Sequence, residues 1–363
     1  MSKLLAMMMK PKPIMYATIK GSLTENNGVF SGFSSSNYLE LQQPFTLNAD
    51  TVAEIVFKIN FDNETTQVYL GHPNTYGIQM TKGTADSKIH LYLGNNSSWT
   101  LIDNATGTTV LSSLTDYYIK VVFNKGNVQV LLSTDKTNWT TEINRNITLT
   151  EEYSYIIDLG RGRTNTQYLK GSIDLNQSYI KINNTKYQLQ AVVGYTVVGS
   201  PTITDGVVSG FSASDYLKLN KSLNLSTEKV EIVLDIKLTS FSNDGLCILS
   251  ANNGLNIQLY RQSTQYKLLN LGGNANSGTK QFVLNTNYKV KFVITSTTLD
   301  MYVWENNNWI LDVSYTVNYT TISNIVIGDN YTHSGTRVFT GSIDLNETYI
   351  KVNNKLWFNG QPA

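Results

Sequence analysis

The chain has 363 residues, of which 41% are hydrophobic and 15% are charged, and its formal net charge is +1. This length exceeds one ordinary hydrophobic core and suits two domains. The near-neutral charge argues against nucleic-acid binding, which needs clustered lysine and arginine. No stretch approaches the ~20 apolar residues of a membrane span, so we expect no membrane insertion.

Residues 1–13 are predicted to form an N-terminal assembly arm. They carry Leu4, Leu5 and three consecutive methionines between lysines, and they end at Pro11 and Pro13. The apolar run is too short for a secretory signal and has no cleavage site. Exposed alone it would be an apolar liability, so we expect it to dock on a partner chain. A disordered chain start is the alternative.

Short strands with a period of two follow the arm. Apolar and polar residues alternate through 53–61 and again through 117–123, which is typical of half-buried strands. Residues 124–127, Asn-Lys-Gly-Asn, predict a hairpin connection. The same alternation returns at 230–238 and 288–294, and no window shows a sustained helical stripe. These patterns favour all-β sandwiches.

Two sequence landmarks occur twice in the same order, which indicates a duplicated domain. Residues 28–39 (GVFSGFSSSNYL) return as 206–217 (GVVSGFSASDYL), and 171–176 (GSIDLN) return unchanged as 341–346. Tyr-Ile-Lys follows the second landmark in both copies. A period this long is a domain repeat and not a solenoid unit.

The repeat sets the domain boundaries. Module 1 is predicted at 14–188 and module 2 at 195–363, with a short linker at 189–194. The linker is partly apolar, which favours two bodies with a limited range of angles over a loose tether. The single cysteine, Cys247, allows no intrachain disulfide, and its apolar neighbours predict a small buried side chain.

Alternation within the repeated Gly-Ser-Ile-Asp-Leu segment predicts which of its side chains enter the core. The expected core residues are Ile173, Leu175, Ile343 and Leu345. The carboxylates of Asp174 and Asp344 should then point away from the core, into structural hydrogen bonds or solvent.

At these repeated segments the chain resembles the concanavalin A-like lectin/glucanase (laminin G-like) domains common in bacteriophage structural proteins. The order of a strand, a hairpin, Trp139 and then 156–160 also fits, and module 2 repeats it with Trp309 and 325–328. The resemblance covers nearly the whole chain after the arm. It implies two tandem antiparallel jelly-roll β-sandwiches with ligand loops along a rim. It also implies a location on the virion surface, after synthesis in the bacterial host cytoplasm.

The acidic residues and histidines of the sequence fit no catalytic or metal-binding pattern. Retaining glycosidases need an acid and a nucleophile about 5 Å apart, but the nearest set, Glu228, Glu231 and Asp235, has the wrong spacing. We therefore assign no catalytic residue and expect no enzyme. Three dispersed histidines do not indicate a zinc site. A structural calcium ion is the one cofactor that the resemblance allows. Its candidate ligands are Asp62, Asp158 and Asp329, which form no dense cluster in the sequence.

Loop aromatics and polar side chains form the candidate binding set, because sugars stack on aromatic rings and take bidentate polar contacts. In module 1 they are His72, Tyr76, Trp99, Arg161, Arg163 and Tyr168. In module 2 they are Tyr260, Arg261, Tyr331, His333 and Arg337. The loops after Gly160 and Gly328 differ between the modules while their flanks match, as ligand loops and unconstrained loops both do.

Three functions stay open at the level of sequence. The first is a non-enzymatic virion surface protein, a fibre, spike or decoration whose modules adhere to bacterial surface glycans. The second is a purely architectural virion component, and the third is a glycan hydrolase or sialidase. The expected partners are other virion proteins through the arm, a bacterial glycan, and further copies of the chain in a homo-oligomer.

Overall fold

A computed structural model describes residues 13–62, 67–73, 75–164, 166–219, 222–240, 245–262, 265–270, 277–329, 332 and 337–362. Residues 1–12 of the predicted arm lie outside this set. The chain divides into two compact units, with the boundary between Ala191 and Val192. Residues 189–194, expected to be a linker, belong to one strand, Thr185–Val198.

Strands supply nearly all the regular structure. In module 1 they are β1 (Ile14–Lys20), β2 (Thr24–Asn26), β3 (Val29–Ser31), β4 (Tyr38–Leu41), β5 (Phe45–Leu47), β6 (Val52–Phe61), β7 (Gln67–Gly71), β8 (Tyr76–Lys82), β9 (Ile89–Asn96), β10 (Ile102–Thr106), β11 (Asp116–Asn124), β12 (Asn127–Ser133), β13 (Thr140–Asn146), β14 (Tyr153–Tyr155), β15 (Asp158–Leu159), β16 (Gly171–Ile182) and the start of β17 (Thr185–Val198).

The strands of module 2 follow the same order. After the end of β17 they are β18 (Thr202–Thr204), β19 (Val207–Ser209), β20 (Tyr216–Leu219), β21 (Leu223–Asn224), β22 (Val230–Leu238), β23 (Leu246–Ser250), β24 (Asn256–Gln262), β25 (Gln265–Asn270), β26 (Asn287–Ile294), β27 (Thr298–Glu305), β28 (Asn308–Thr316), β29 (Thr321–Ile322), β30 (Val326–Ile327), β31 (Gly341–Val352) and β32 (Lys355–Pro362). One 3-10 helix, Asn252–Gly254, is the only helix in the described part of the chain, which holds no helix able to cross a membrane.

Each module is an antiparallel jelly-roll sandwich, as predicted. In module 1 a front sheet has the order β1-β4-β15-β7-β8-β9-β10. A back sheet has the order β2-β3-β16-β6-β11-β12-β13. Side chains from both sheets form one hydrophobic cluster, among them Leu39, Leu70 and Leu91 from the front and Ile59, Ile119 and Ile173 from the back.

Module 2 repeats both sheets. Its front sheet is β17-β20-β30-β23-β24-β25, and its back sheet is β18-β19-β31-β22-β26-β27-β28. The repeated segments occupy equivalent strands. Ile173 lies opposite Ile59 in module 1, and Ile343 lies opposite Ile236 in module 2. The pairing of β17 with β32 is parallel.

The four predicted core side chains of the repeated segment are confirmed. Ile173 and Ile343 are 0% exposed, and Leu175 and Leu345 are 2% exposed. The two aspartates between them point away from the core and support the backbone. Asp174 Oδ1 accepts a hydrogen bond from the Asn176 amide at 3.0 Å, and Asp344 Oδ1 accepts one from the Asn346 amide at 2.9 Å. Cys247 is fully buried, also as predicted.

Asparagine and glycine close the hairpins, because tight two-residue turns need positive φ angles. The predicted connection 124–127 joins β11 to β12 through Lys125 and Gly126, whose φ angles are 48° and 82°. Between β27 and β28 the turn is Asn306-Asn307, with φ angles of 48° and 62°. In module 1 the equivalent connection between β12 and β13 is longer and covers 134–139.

A carboxylate holds a loop in each module. Glu142 accepts hydrogen bonds from the amides of Thr108 and Thr109 at 2.7 and 2.8 Å, and from their hydroxyl groups at 3.0 and 2.6 Å. Burial raises the pKa of Glu142, but these four hydrogen bonds outweigh it, so the pKa is lowered overall. Asp312 holds residues 279–280 in the same manner.

Candidate functional site

A loop of module 1 packs over the outer face of the front sheet. The loop leaves β15 after Leu159 and returns at Leu169, whose amide donates to the Gly160 carbonyl at 2.9 Å. It lies so close to β7 that a Cβ on Gly71 would be 2.9 Å from the Gly162 Cα. Two glycines therefore permit this approach, and they fix where the flanking arginines lie.

Arg161 is held over the sheet by a buried carboxylate and an aromatic ring. Its Nη2 and Nε atoms donate to Asp158 Oδ2 at 2.6 and 3.0 Å, and its guanidinium lies 3.3 Å from the ring centroid of Tyr38. His72 Nδ1 lies 3.1 Å from the same carboxylate oxygen. The Arg161 Nη1 atom also donates to the Ser35 carbonyl at 3.1 Å. These contacts restrain the guanidinium in one orientation.

Arg163 begins a second group of rings on the same sheet. Its guanidinium lies 4.3 Å from the Tyr76 ring, and its amide donates to Gln79 Oε1 at 2.9 Å. The Tyr76 and Trp99 rings meet edge to face with centroids 5.1 Å apart, and Trp99 lies 5.4 Å from Tyr92. All three rings are half-buried, so each keeps part of its surface in solvent.

We call these side chains the arginine–aromatic row. The row consists of Tyr38, Arg161, Arg163, Tyr76, Trp99 and Tyr92. The six binding residues predicted in module 1 lie in it or against it, because His72 contacts Asp158 and Tyr168 pairs with Arg161 through a β-bridge. Sequence reasoning missed Tyr38 and Tyr92. Strand alternation could have found Tyr92, which lies between the core residues Leu91 and Leu93.

Asp158 does not fit the role of a calcium ligand suggested by the sequence. The Arg161 guanidinium already occupies the position beside its Oδ2 that a cation would take. Asp158 itself is fully buried, and its Oδ1 accepts no hydrogen bond. Within the residues that the structure describes, no three acidic, histidine or cysteine side chains lie together so as to hold a metal ion.

Within the described residues, the carboxylate and arginine at the centre of the row do not recur at the equivalent positions of module 2. Val326 pairs with Lys218, and Asp158 pairs with Glu40. Lys218 and Glu40 each directly follow a copy of the first repeated segment, so Val326 is the equivalent of Asp158. Asp329 follows Gly328 where Arg161 follows Gly160. Asp158 and Arg161 are thus replaced at their own positions by Val326 and Asp329, and Asp329 is itself fully buried.

The predicted residues of module 2 fall on separate elements. Tyr260 and Arg261 are neighbours on β24, and Tyr260 is 45% exposed. The Arg337 carbonyl accepts a hydrogen bond from the Cys247 amide at 3.0 Å. Tyr331 and His333 lie outside the described residues.

Sequence reasoning missed an open groove on the back sheet of module 2. Its volume is about 570 Å³, and Trp304 and Trp309 form one wall. The two tryptophans are a cross-strand pair on the β27–β28 hairpin. In the sequence, Trp309 marks the repeat as the counterpart of Trp139. Alternation would have placed Trp304 outside the core, because its neighbour Val303 is buried.

The carboxylates that came nearest to a hydrolase pattern lie on or beside β22. Asp235, expected on a solvated face, is only 9% exposed, and burial raises its pKa. Glu231 Oε1 accepts a hydrogen bond from Tyr349 at 3.4 Å, while Glu228 accepts one from the Asn224 amide at 2.7 Å. Glu231 and Glu228 therefore have separate structural partners, and Asp235 is set apart from them by its burial.

No family model and no curated protein matches this chain. Among solved structures it is similar to domains LG4-5 of the mouse laminin alpha1 chain, with 14% identity over 98% of this chain and 95% of that chain, at a TM-score of 0.33. It is also similar to the exoplasmic/lumenal domain of VIP36 in its Ca²⁺/Man-bound form, with 15% identity over 47% and 82% of the two chains and a TM-score of 0.32.

A third similar structure is the heptameric SAP-like pentraxin from Limulus polyphemus, with 10% identity over 44% of this chain and 77% of that chain, at a TM-score of 0.32. All three TM-scores lie below 0.5 and all three identities lie below 25%. The fold assignment therefore rests on the strands and pairings described above.

Proposed function

We propose that this chain is a non-enzymatic glycan-binding protein and that the arginine–aromatic row of module 1 contacts the sugar. The observation that carries the proposal is the continuity of the row. Three partly exposed rings, Tyr76, Trp99 and Tyr92, contact one another in sequence, and the Arg163 guanidinium lies over the first of them. Sugar-binding sites combine ring faces for C–H groups with a few fixed polar groups for hydroxyls.

The row suits binding because its polar groups are oriented before a ligand arrives. Asp158 and Tyr38 hold the Arg161 guanidinium, His72 contacts the same Asp158 carboxylate, and Gln79 holds the backbone of Arg163. Preorganised groups lose less conformational entropy when a ligand binds. The row offers no pair of exposed carboxylates, and Asp158 is fully buried. Binding without hydrolysis is therefore the activity that this chemistry supports best.

The biological setting belongs to the same proposal. The resemblance to bacteriophage structural proteins supports a fibre, spike or decoration on the virion surface, where the modules would adhere to bacterial glycans. Other virion proteins and further copies of the chain would be its partners. A purely architectural role is the alternative, and a glycan hydrolase or sialidase is disfavoured by the separate partners of the β22 carboxylates.

A glycan array probed with the full chain tests the binding function. We expect bound bacterial glycans for the wild type and a loss of about tenfold or more in affinity for Trp99→Ala, since a central ring of such a site is a typical hot spot. Trp139→Ala is the matched control. Trp139 is a half-buried tryptophan of the same module, but it lies against Lys120 on the back sheet. Equal binding by wild type and Trp99→Ala would refute the assignment of the row.

The assembly role of residues 1–13 is tested separately by deleting them. The proposal expects folded modules that still bind the same glycans but no longer enter the particle or the oligomer. Circular dichroism and sedimentation velocity would measure folding and assembly on the same sample. Normal assembly of the shortened chain would rule the arm out.

A further inference from the structure

We propose that the groove of module 2 is a second sugar site, which takes an uncharged oligosaccharide independently of module 1. The inference rests on the proposed glycan-binding function and extends it to different residues and a different sheet. At about 570 Å³, the groove falls within the range of roughly 300–1,000 Å³ typical of small-molecule sites.

One wall of the groove is an oriented indole platform. The Trp304 and Trp309 rings meet edge to face at a centroid distance of 5.1 Å. The Lys291 ammonium lies 4.7 Å from the Trp309 ring and 4.7 Å from the Tyr302 ring, which holds Trp309 in place. Trp304 remains 40% exposed. A tryptophan that is fixed by a partner ring yet open on its surface is suited to stack on a pyranose C–H face.

The opposite wall supplies hydrogen-bonding groups. It comes from an irregular part of β31, where pairing with β22 is interrupted between Val233 and Asp235. There the Thr348 hydroxyl donates to the Asp344 carbonyl at 2.7 Å. The interruption brings Asn346, Glu347 and Tyr349 to the groove, and Asn359 of β32 adds an amide. Amide, carboxylate and phenol groups can each bond sugar hydroxyls.

The charges in the groove favour an uncharged ligand over an anionic one. Lys289 Nζ lies 2.8 Å from Glu347 Oε2, and Lys351 Nζ lies 3.8 Å from Glu231 Oε1. Each of these lysines is therefore compensated by a carboxylate. An acidic glycan would have to compete with both ion pairs, whereas hydroxyl groups can bond to them as they stand.

Module 1 shows how the same region is closed when the hairpin is longer. Ser133 is the equivalent of Trp304, because the register of β12 with β11 matches the register of β27 with β26. The longer turn carries Lys136, whose ammonium donates to Gln177 Oε1 at 3.1 Å and lies 5.3 Å from the Tyr118 ring. A side chain of the module itself thus crosses the region that stays open in module 2.

Titration of the full chain with neutral trisaccharides tests the inference. The probes are the trimers of β-1,4-linked glucose, α-1,4-linked glucose and β-1,4-linked N-acetylglucosamine, with heparin as an anionic arm, followed by isothermal calorimetry. We expect at least one trimer to bind the wild type, about tenfold weaker binding for Trp304→Ala, and little change for Trp99→Ala, because one stacked ring contributes about that factor. Trp304→Phe should keep part of the affinity, which separates ring loss from misfolding.

Several results would overturn this inference without touching module 1. Binding of the trimers that is lost in Trp99→Ala but kept in Trp304→Ala would leave the row as the site and reject the groove. Binding of heparin alone would reject an uncharged ligand. Failure of every trimer to bind would also reject the groove as a sugar site. An oligomer that forms in sedimentation velocity and depends on Trp304 would assign the groove to self-association instead. A different pair of results would reject only the arginine–aromatic row. In that case Trp99→Ala would leave both the trimer binding and the binding to the glycan array unchanged.

Discussion

Replacing Ile343 by alanine should destabilise module 2 strongly, because this side chain is at the centre of the back sheet. Ile343 is 0% exposed and lies opposite Val208 on β19 and Ile236 on β22. Both neighbours are themselves buried, at 0% and 1% exposure. Strands on both sides of β31 restrict collapse around the vacated space, so the cavity should persist.

The expected loss of unfolding free energy is about 3–4 kcal/mol. Isoleucine has three more carbon groups than alanine, and each is worth about 0.8 kcal/mol on burial. That gives roughly 2.4 kcal/mol before the cavity is included, and comparable core truncations span about 2–5 kcal/mol. Ile310→Ala is the matched control, because this isoleucine is 50% exposed. Its replacement should cost about 1 kcal/mol or less.

Urea denaturation of the full chain, combined with peptide-resolved hydrogen exchange, measures the effect in each module separately. Protection of the peptides from β22 and β31 should fall in Ile343→Ala while module 1 keeps its protection. Ile173→Ala should give the reverse pattern with a similar magnitude, because Ile173 is the equivalent core residue. A change below about 1 kcal/mol, or one equal to that of Ile310→Ala, would refute the packing account.

Three further changes test other parts of the fold. Glu142→Gln should cost about 1–2 kcal/mol in urea at pH 7. Folding lowers the pKa of Glu142. The stabilisation is therefore fully present above the unfolded pKa of about 4.3, and it fades as the pH falls through the folded pKa. The difference in unfolding free energy between the wild type and Glu142→Gln should thus shrink in acid. Gly160→Ala should cost about 2 kcal/mol or more, since φ is 84° and a Cβ would overlap the Phe33 ring; Gly254→Ala, with φ of 86° but open space, should cost less. Burial raises the pKa of Cys247, so a thiol reagent should leave it unmodified until urea unfolds the chain.

The fold was predictable because the sequence repeats its structural determinants. The duplicated Gly-Ser-Ile-Asp-Leu segment and the alternating runs at 53–61 and 230–238 encode the same central strands, and both form as predicted. Less predictable was the join at 189–194. Its apolar residues predict a linker that limits the angles between two modules. In the structure, Val192 and Val193 are buried residues of a strand. A short apolar segment between two strands has the composition of a strand as well as of a linker.

The candidate sites were only partly predictable. Loop aromatics and arginines identified four members of the row of module 1, because Trp99, Arg161 and Arg163 lie in loops and Tyr76 begins a strand. The groove of module 2 was missed because its walls come from β27–β28 and β31, which are distant in sequence and lie on a sheet face. Neither wall is unusual alone, since β31 has the same irregularity as β16. The groove is open because the β27–β28 hairpin is short. In module 1 the longer turn brings Lys136 across the equivalent region, and the sequence alone does not show how that side chain packs.

Comparison of the modules with each other indicates where divergence has acted. Equivalent core positions keep their apolar character, as Ile59 and Ile236 do, because both sandwiches need the same packing. Equivalent outward positions change sign or chemistry. Lys58 faces Asp174 where Asp235 faces Asp344, and Asp158 lies where module 2 has Val326. An architectural pair of sandwiches needs no such changes at matched outward positions. The two modules therefore present different groups at matched positions, and we expect the proposed row and the proposed groove to respond to different glycans.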